Sequence, residues 1–245
     1  ANWNTAQTVT VTGVDDALAD GDIGYTITTA AVVSADTNYS GMDAVDVSVT
    51  NNDNDMAGIT VAPTGGLITT EAGTTADFTV VLNTQPTADV TIDLTSSATS
   101  EGTVAPTQVT FTTANWNSAK TVTVTGVDDA VVDGDIAYTI TTAAAVSADA
   151  NYSGMDAADV SVTNNDNDVV GVTVSPSGTQ LTTEAGGTAT FTFVLNSQPT
   201  ADVTISLTAS DPTEATAAPS PLVLTTANWN APQTVTVTGV DDPNA

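Results

Sequence analysis

Apolar residues alternate with threonine and other polar residues along most of the 245-residue chain, in short runs such as "DFTVVL", "ADVTIDL" and "KTVTVTG". A period of two puts successive side chains on opposite faces of an extended strand, and no stretch carries the spacing of an amphipathic helix. From 56 to 168 the pattern predicts seven strands. Ile59 and Val61 open the first, and Phe78, Val80 and Leu82 face inward from the second. Val90, Ile92 and Leu94 do so for the third, then Val109 and Phe111 for the fourth and Val122 and Val124 for the fifth. Ile136, Tyr138 and Ile140 serve the sixth, and Val160 and Val162 the seventh. Outward positions are mostly Thr, whose branched Cβ suits a pleated strand while its hydroxyl faces water. Seven strands divided by turn signals describe an antiparallel sandwich.

The whole pattern recurs. "ANWN" begins at residues 1, 114 and 227, a constant spacing of 113 residues. That period is too long for a solenoid unit and close to the roughly 100 residues of an immunoglobulin-like β-sandwich. The expected architecture is therefore all-β, a tandem row of immunoglobulin-like antiparallel sandwiches. "NNDND" at 51–55 and 164–168 is rich in turn formers and precedes a fresh alternation, which marks a junction. Residues 1–55 then hold the fifth to seventh strands of one repeat, 56–168 a complete repeat, and 169–245 the first five strands of the next. Two arrangements account for the incomplete ends. The chain is a stretch of a longer array, or its ends complete one another between copies by strand donation.

Composition then removes most chemistry. There are 29 Asp and Glu against one Lys or Arg, no His and no Cys, for a net charge of −28. Such a surface repels nucleic acid and anionic membranes, and no apolar run approaches the roughly 18 residues of a membrane span. Without His or Cys there is no Ser-His-Asp or Cys-His nucleophile, no zinc site of the usual kind and no disulfide. Lys120 has Gln7 and Gln233 as its counterparts, so it reads as a surface variation. The abundant carboxylates suit hard cations with oxygen ligands; paired acids of a glycosidase would need a substrate cleft that a junction pole does not offer. The chain is expected not to be an enzyme.

The acids are concentrated. "GVDDALADGDI" at 13–23 and "GVDDAVVDGDI" at 126–136 each hold four aspartates. If the strands alternate in direction, the fifth ends at Asp128, the sixth starts near Asp135 and the seventh ends at Asp166 and Asp168, all at one pole. The second half of the first strand runs parallel to the seventh and brings Glu71, in "TTEAG", to the same pole. Glu71, Asp128, Asp129, Asp133, Asp135, Asp166 and Asp168 thus gather with no cation from the protein. Two like charges about 4 Å apart repel by about 4 kcal/mol at an effective dielectric of about 20. Calcium, which takes six to eight oxygens in flexible geometry, answers that repulsion better than magnesium. A plainer reading makes the Asp and Gly of these loops turn formers and solubilising groups, and "NNDND" a polar linker.

The ordered set "TTEAG", "VLN.QPTADVTI", "ANWN..TVTVTGVDD..DGD" and "NYSGMDA.DVSVTNNDND" resembles the Calx-beta repeat, an immunoglobulin-like calcium-binding domain. The resemblance implies calcium at one tip, held by the same seven residues. In the first repeat it implies Asp15, Asp16, Asp20, Asp22, Asp53 and Asp55, and in the last Glu184, Asp241 and Asp242, where "GVDDPNA" stops before the second acidic pair. It further implies an extracellular or cell-surface stalk, adhesin segment or filament stiffened by calcium; the alternative is a calcium-sensing or ligand-binding module of a larger secreted enzyme or transporter. Expected partners are neighbouring repeats and, through strand complementation, other copies of the chain. Trp3, Trp116 and Trp229 fall at the opposite pole, as end plugs or contacts to the preceding repeat. "NYS" at Asn38 and Asn151 matches the glycan sequon.

Overall fold

Alternating apolar and β-branched residues become strands where a neighbour is present to take their backbone hydrogen bonds. The computed structural model describes residues 2–241, and their regular structure is all strand. β1 (Ile23–Ile27) and β2 (Val47–Asn51) form an antiparallel pair. A two-sheet sandwich follows, made of β3 (Ile59–Ala62), β4 (Leu67–Thr70), β5 (Thr75–Leu82), β6 (Val90–Ser96), β7 (Gly102–Ala105), β8 (Gln108–Phe111), β9 (Lys120–Gly126), β10 (Ile136–Thr142), β11 (Val146–Ser147) and β12 (Val160–Asn165). The remaining strands are β13 (Val172–Ser175), β14 (Thr188–Leu195), β15 (Val203–Ile205), β16 (Ala215–Ala218), β17 (Leu222–Leu224) and β18 (Gln233–Gly239).

One sheet of the sandwich runs β3-β5-β9-β7 and the other β11-β6-β10-β12-β4, with β8 also on β6. All pairings are antiparallel except β4 on β12. Phe78, Ile92, Phe111, Val122, Ile140 and Val160 fill the space between the sheets and are fully buried. Each such side chain stabilises the fold by about 1.5–3 kcal/mol through its removal from water. The seven strands read from the alternation are present, with the inward residues named above in the core apart from the half-buried Ile59 and Ile136.

Beyond these seven, β4 and β7 are short strands set by a change of sheet, and β11 is a two-residue addition on β6. β3 pairs with β5, but beyond Pro63 the chain crosses to lie along β12 as β4. Likewise β7 pairs with β9, and beyond Pro106 the chain crosses to β6 as β8. Proline lacks the N–H that a continuing ladder would need, so it marks the place where the strand leaves its sheet. Pro176 and Pro219 occupy the matching places in the last part of the chain, where β13 pairs β14, β16 pairs β18 and β17 pairs β15.

The flanking segments form only the ladders for which a partner exists among the described residues. Thr8–Thr12 repeats the sequence of β9, yet it lies exposed and outside any ladder, because no counterpart of β5 stands beside it. The stretch 180–183, the counterpart of β4, is likewise outside a ladder, because it has no counterpart of β12. A smaller core of Phe193, Leu195, Leu222, Leu224 and Val235 holds the last segment together.

Candidate metal centre

The site follows from the parallel pairing of β4 with β12. Thr70 lies opposite Asn165, so the next residue, Glu71, emerges beside the end of β12 and donates its N–H to the Asn165 carbonyl at 3.1 Å. Glu71 is 3% exposed as a residue, and its Oε2 accepts the Asn167 N–H at 3.0 Å. The loop joining β9 to β10 closes over this end. Gly134 takes a positive φ of 80°, which favours glycine, and donates its N–H to Asp166 Oδ2 at 2.8 Å. Asp166 in turn donates its own N–H to Asp135 Oδ1 at 3.2 Å and accepts the Asp168 N–H on Oδ1 at 2.7 Å. Asn167 Nδ2 reaches Asp128 Oδ1 at 3.4 Å, and Asp129 Oδ1 accepts the Val131 N–H at 2.7 Å.

A buried polar layer supports the acids from beneath. Asn164 receives the Thr69 hydroxyl on Oδ1 at 3.0 Å and donates Nδ2 to the Val127 carbonyl at 3.0 Å, tying β4, β12 and the acidic loop into one unit. Gly126 lets them approach: a Cβ there would collide with the Thr70 carbonyl and the Asn164 side chain. Tyr138 adds its hydroxyl, 3.3 Å from Thr69 Oγ1.

Among the described residues two carboxylate trios have oxygens within 4.8 Å of one another, Glu71 with Asp166 and Asp168, and Glu101 with Asp129 and Asp133. Five of the seven acids placed at this pole by topology are therefore in a trio; Asp128 and Asp135 join only through hydrogen bonds. Glu101 is buried and was not anticipated. It sits in the irregular "SATSEGT", where alternation says nothing; the available signal was its repeat counterpart Glu214, also 113 residues on.

In the first segment Asp15, Asp16, Asp20, Asp53 and Asp55 line one cleft, and Asp22 Oδ1 accepts the Asp53 N–H at 2.9 Å. The bonds of the sandwich recur there: Gly21 N–H to Asp53 Oδ2 at 2.7 Å and Asp55 N–H to Asp53 Oδ1 at 2.8 Å. In the last segment Glu184 and Asp241 are exposed and join no trio, while Asp242 lies outside the described residues.

The donor set fits a hard cation. Every converging side chain is an oxygen acceptor, and Asp168 Oδ2 is buried with no hydrogen-bond partner. A buried acceptor without a donor is costly and calls for a positive charge. The chain's one basic residue, Lys120, places its amine over the Phe111 ring, 5.9 Å from the centroid, so it does not serve the acids.

Burial, reinforced by neighbouring carboxylates, holds Glu71 above its ordinary value of 4.5 and Asp168 above 3.8. The N–H groups of Asp168 and Gly134 hold Asp166 below 3.8. The two directions have opposite effects. Glu71 and Asp168 bind more protons folded than unfolded, so their stabilisation is full below the unfolded values and is lost as pH rises through the raised ones. That of Asp166 is present above 3.8 and lost as pH falls through its depressed value. In chelator, the thermal midpoint is expected to fall as pH rises from about 4.5 towards neutrality, and calcium to flatten that slope. A midpoint that climbs over the same range in chelator would contradict the raised carboxyls.

No family model matches the chain, and no curated protein matches it. Solved structures resemble it loosely. CBD12 from CALX1.2 is 15% identical with a TM-score of 0.36, over 75% of this chain and 76% of that one. The apo-form Calx CBD1 domain is 13% identical with a TM-score of 0.37, over 46% of this chain and 100% of that one. Domains 5-6 of the S-layer protein SbsC are 18% identical with a TM-score of 0.25, over 77% and 85% of the two chains. Likeness at this level assigns neither a family nor a ligand to the chain.

Proposed function

We propose that the chain is a calcium-binding tandem-repeat structural protein, with repeats at 1–55, 56–168 and 169–245, working outside the cell as part of a stalk, adhesin or filament. The observation that carries the reading is the trio Glu71, Asp166 and Asp168 with its buried, unpartnered Asp168 oxygen. The Calx-beta-like motif order supports it, since the quoted segments contain every acid of this pole except Glu101.

Glu71, Asp166 and Asp168 would hold one ion and Glu101, Asp129 and Asp133 a second. Calcium supplies divalent positive charge and accepts six to eight oxygens. The protein's part is to fix those oxygens: β4 and β12 set Glu71 against Asp166 and Asp168, while the loop after β9 brings Asp129 and Asp133 to Glu101. Ligand binding to the folded state alone stabilises a repeat whose acids converge, and neutralising acids next to a junction stiffens the row. Weak, carboxylate-rich sites suit the high calcium of an extracellular medium, and the charge of −28 favours solubility there.

Small-angle scattering tests the reading directly. The chain in calcium is expected to show a larger maximum dimension and a sharper pair-distance distribution than in chelator. Identical curves in both, with identical melting, would exclude a calcium-stiffened array.

A further inference from the structure

At the pole opposite the acids, two loops of the sandwich are clamped to each other. Tyr152 is 1% exposed, and its hydroxyl donates to the Thr84 carbonyl at 2.8 Å while accepting the Thr84 N–H at 3.1 Å. Asp149, 5% exposed, accepts the Thr87 N–H on Oδ2 at 2.7 Å and the Asn151 N–H on Oδ1 at 2.9 Å. Gln85 is tied to its own repeat by Nε2, which donates to the Thr113 carbonyl at 2.7 Å. These bonds leave two donors facing outward, the Gln85 N–H and the Asn151 side-chain amide.

Both are taken by the acidic loop of the preceding segment. Gln85 N–H donates to the Ala17 carbonyl at 2.8 Å, and Asn151 Nδ2 to the Ala19 carbonyl at 2.8 Å. The first contact recurs 113 residues on, where the Gln198 N–H donates to the Ala130 carbonyl at 2.6 Å. Gln198 is tied in the same way, Nε2 to the Thr226 carbonyl at 3.1 Å. At this second junction Val131 and Val132 also line an apolar groove with Val170, Leu195 and Pro199.

We infer that each repeat carries, opposite its acids, a preformed socket for the acidic loop of the preceding repeat, with Gln85 and Asn151 as the residues that seat it. The socket sets how one repeat is oriented on the next. It rests on the tandem reading of the chain, and its contacts need no metal. Its rigidity comes from Asp149 and Tyr152, buried groups with no place in the metal centre. It also gives the second sequon a use: the Asn151 amide is engaged in the junction, whereas that of Asn38 bonds locally to Asp36 Oδ1 at 3.1 Å.

The absence of Cys allows spin labels to be placed at will. One pair, Ser48→Cys with Thr121→Cys, spans the first junction; another, Thr121→Cys with Thr204→Cys, spans the second. In chelator, Asn151→Ala, which removes the bond to the Ala19 carbonyl, combined with Gln85→Ala, which keeps the Gln85 N–H but frees its loop from the Thr113 carbonyl, is expected to lower the ratio of docked to undocked geometries at the first junction by about fivefold, the worth of one net hydrogen bond. The distance distribution at the second junction stays unchanged, as Gln198 is intact. Asn151→Ala alone, at an exposed side chain, gives a smaller broadening of the same kind and guards against misfolding. An unchanged first-junction distribution in the folded variants overturns the socket. Calcium that leaves both distributions of the unaltered chain as they are in chelator counts against the calcium reading and not against the socket.

Discussion

Saturating calcium is expected to raise the melting midpoint of the sandwich by roughly 10 °C, and Glu71→Gln to remove most of that rise. A ligand present at about a hundred times its Kd, bound only by the folded state, adds about 2.7 kcal/mol to the unfolding free energy, which is roughly 10 °C or more in a domain near this size. Glu71 is the acid for which substitution isolates the charge. The Gln side-chain carbonyl can still accept the Asn167 N–H that Oε2 now receives at 3.0 Å, so the local fold is kept. What is lost is one carboxylate of a trio whose oxygens lie within 4.8 Å, and with it the charge that opposes burial. Calorimetry in calcium, magnesium and chelator separates the effects. Magnesium is expected to do less than calcium, because it requires stricter octahedral geometry and releases water reluctantly. A Glu71→Gln variant with the full calcium shift would remove Glu71 from the site.

Much of the fold was legible because one physical rule, period-two burial, governs it. Phe78, Val80 and Leu82 must face inward together, and a slip of one residue would expose all three. The pole of the acids was legible for the same reason, since strand direction alone carries Asp128, Asp135 and Asp166 to one end. Legibility failed where position is set by a partner distant in sequence. β4 and β7 exist because the chain changes sheets at Pro63 and Pro106, and Glu101 lies in a connection whose course no alternation dictates. Thr8–Thr12 shows the converse, a strand sequence left outside any ladder for want of a neighbour. The tryptophans divide along the same line. Trp116 and Trp229 pack against their cores, whereas Trp3, in the segment with no such core beside it, is 86% exposed. Composition had named the donor atoms; the structure adds which carboxylates share a space and which oxygen has no partner.

That oxygen makes the sharpest test of the metal centre, because substitution should move two properties in opposite directions. Asp168→Asn is expected to stabilise the chelated protein and to weaken calcium binding. In the chelated state Asp168 Oδ2 is buried without a donor and its carboxyl is pushed up by burial and by the charges of Asp166 and Asp128. A neutral amide of the same shape keeps the backbone bond from Asp168 N–H to Asp166 Oδ1 at 2.7 Å while relieving that repulsion, so the midpoint rises by a few degrees. With calcium the balance reverses, since the ion loses a charged ligand from a trio of three; affinity is expected to fall by about tenfold or more, equivalent to about 1.4 kcal/mol. A residue serving only structure would lose stability in both conditions, and a turn former kept for solubility would change neither. Titration calorimetry together with melting in chelator distinguishes the three outcomes. Only a gain without calcium joined to a loss with it fits an oxygen held in place for a cation.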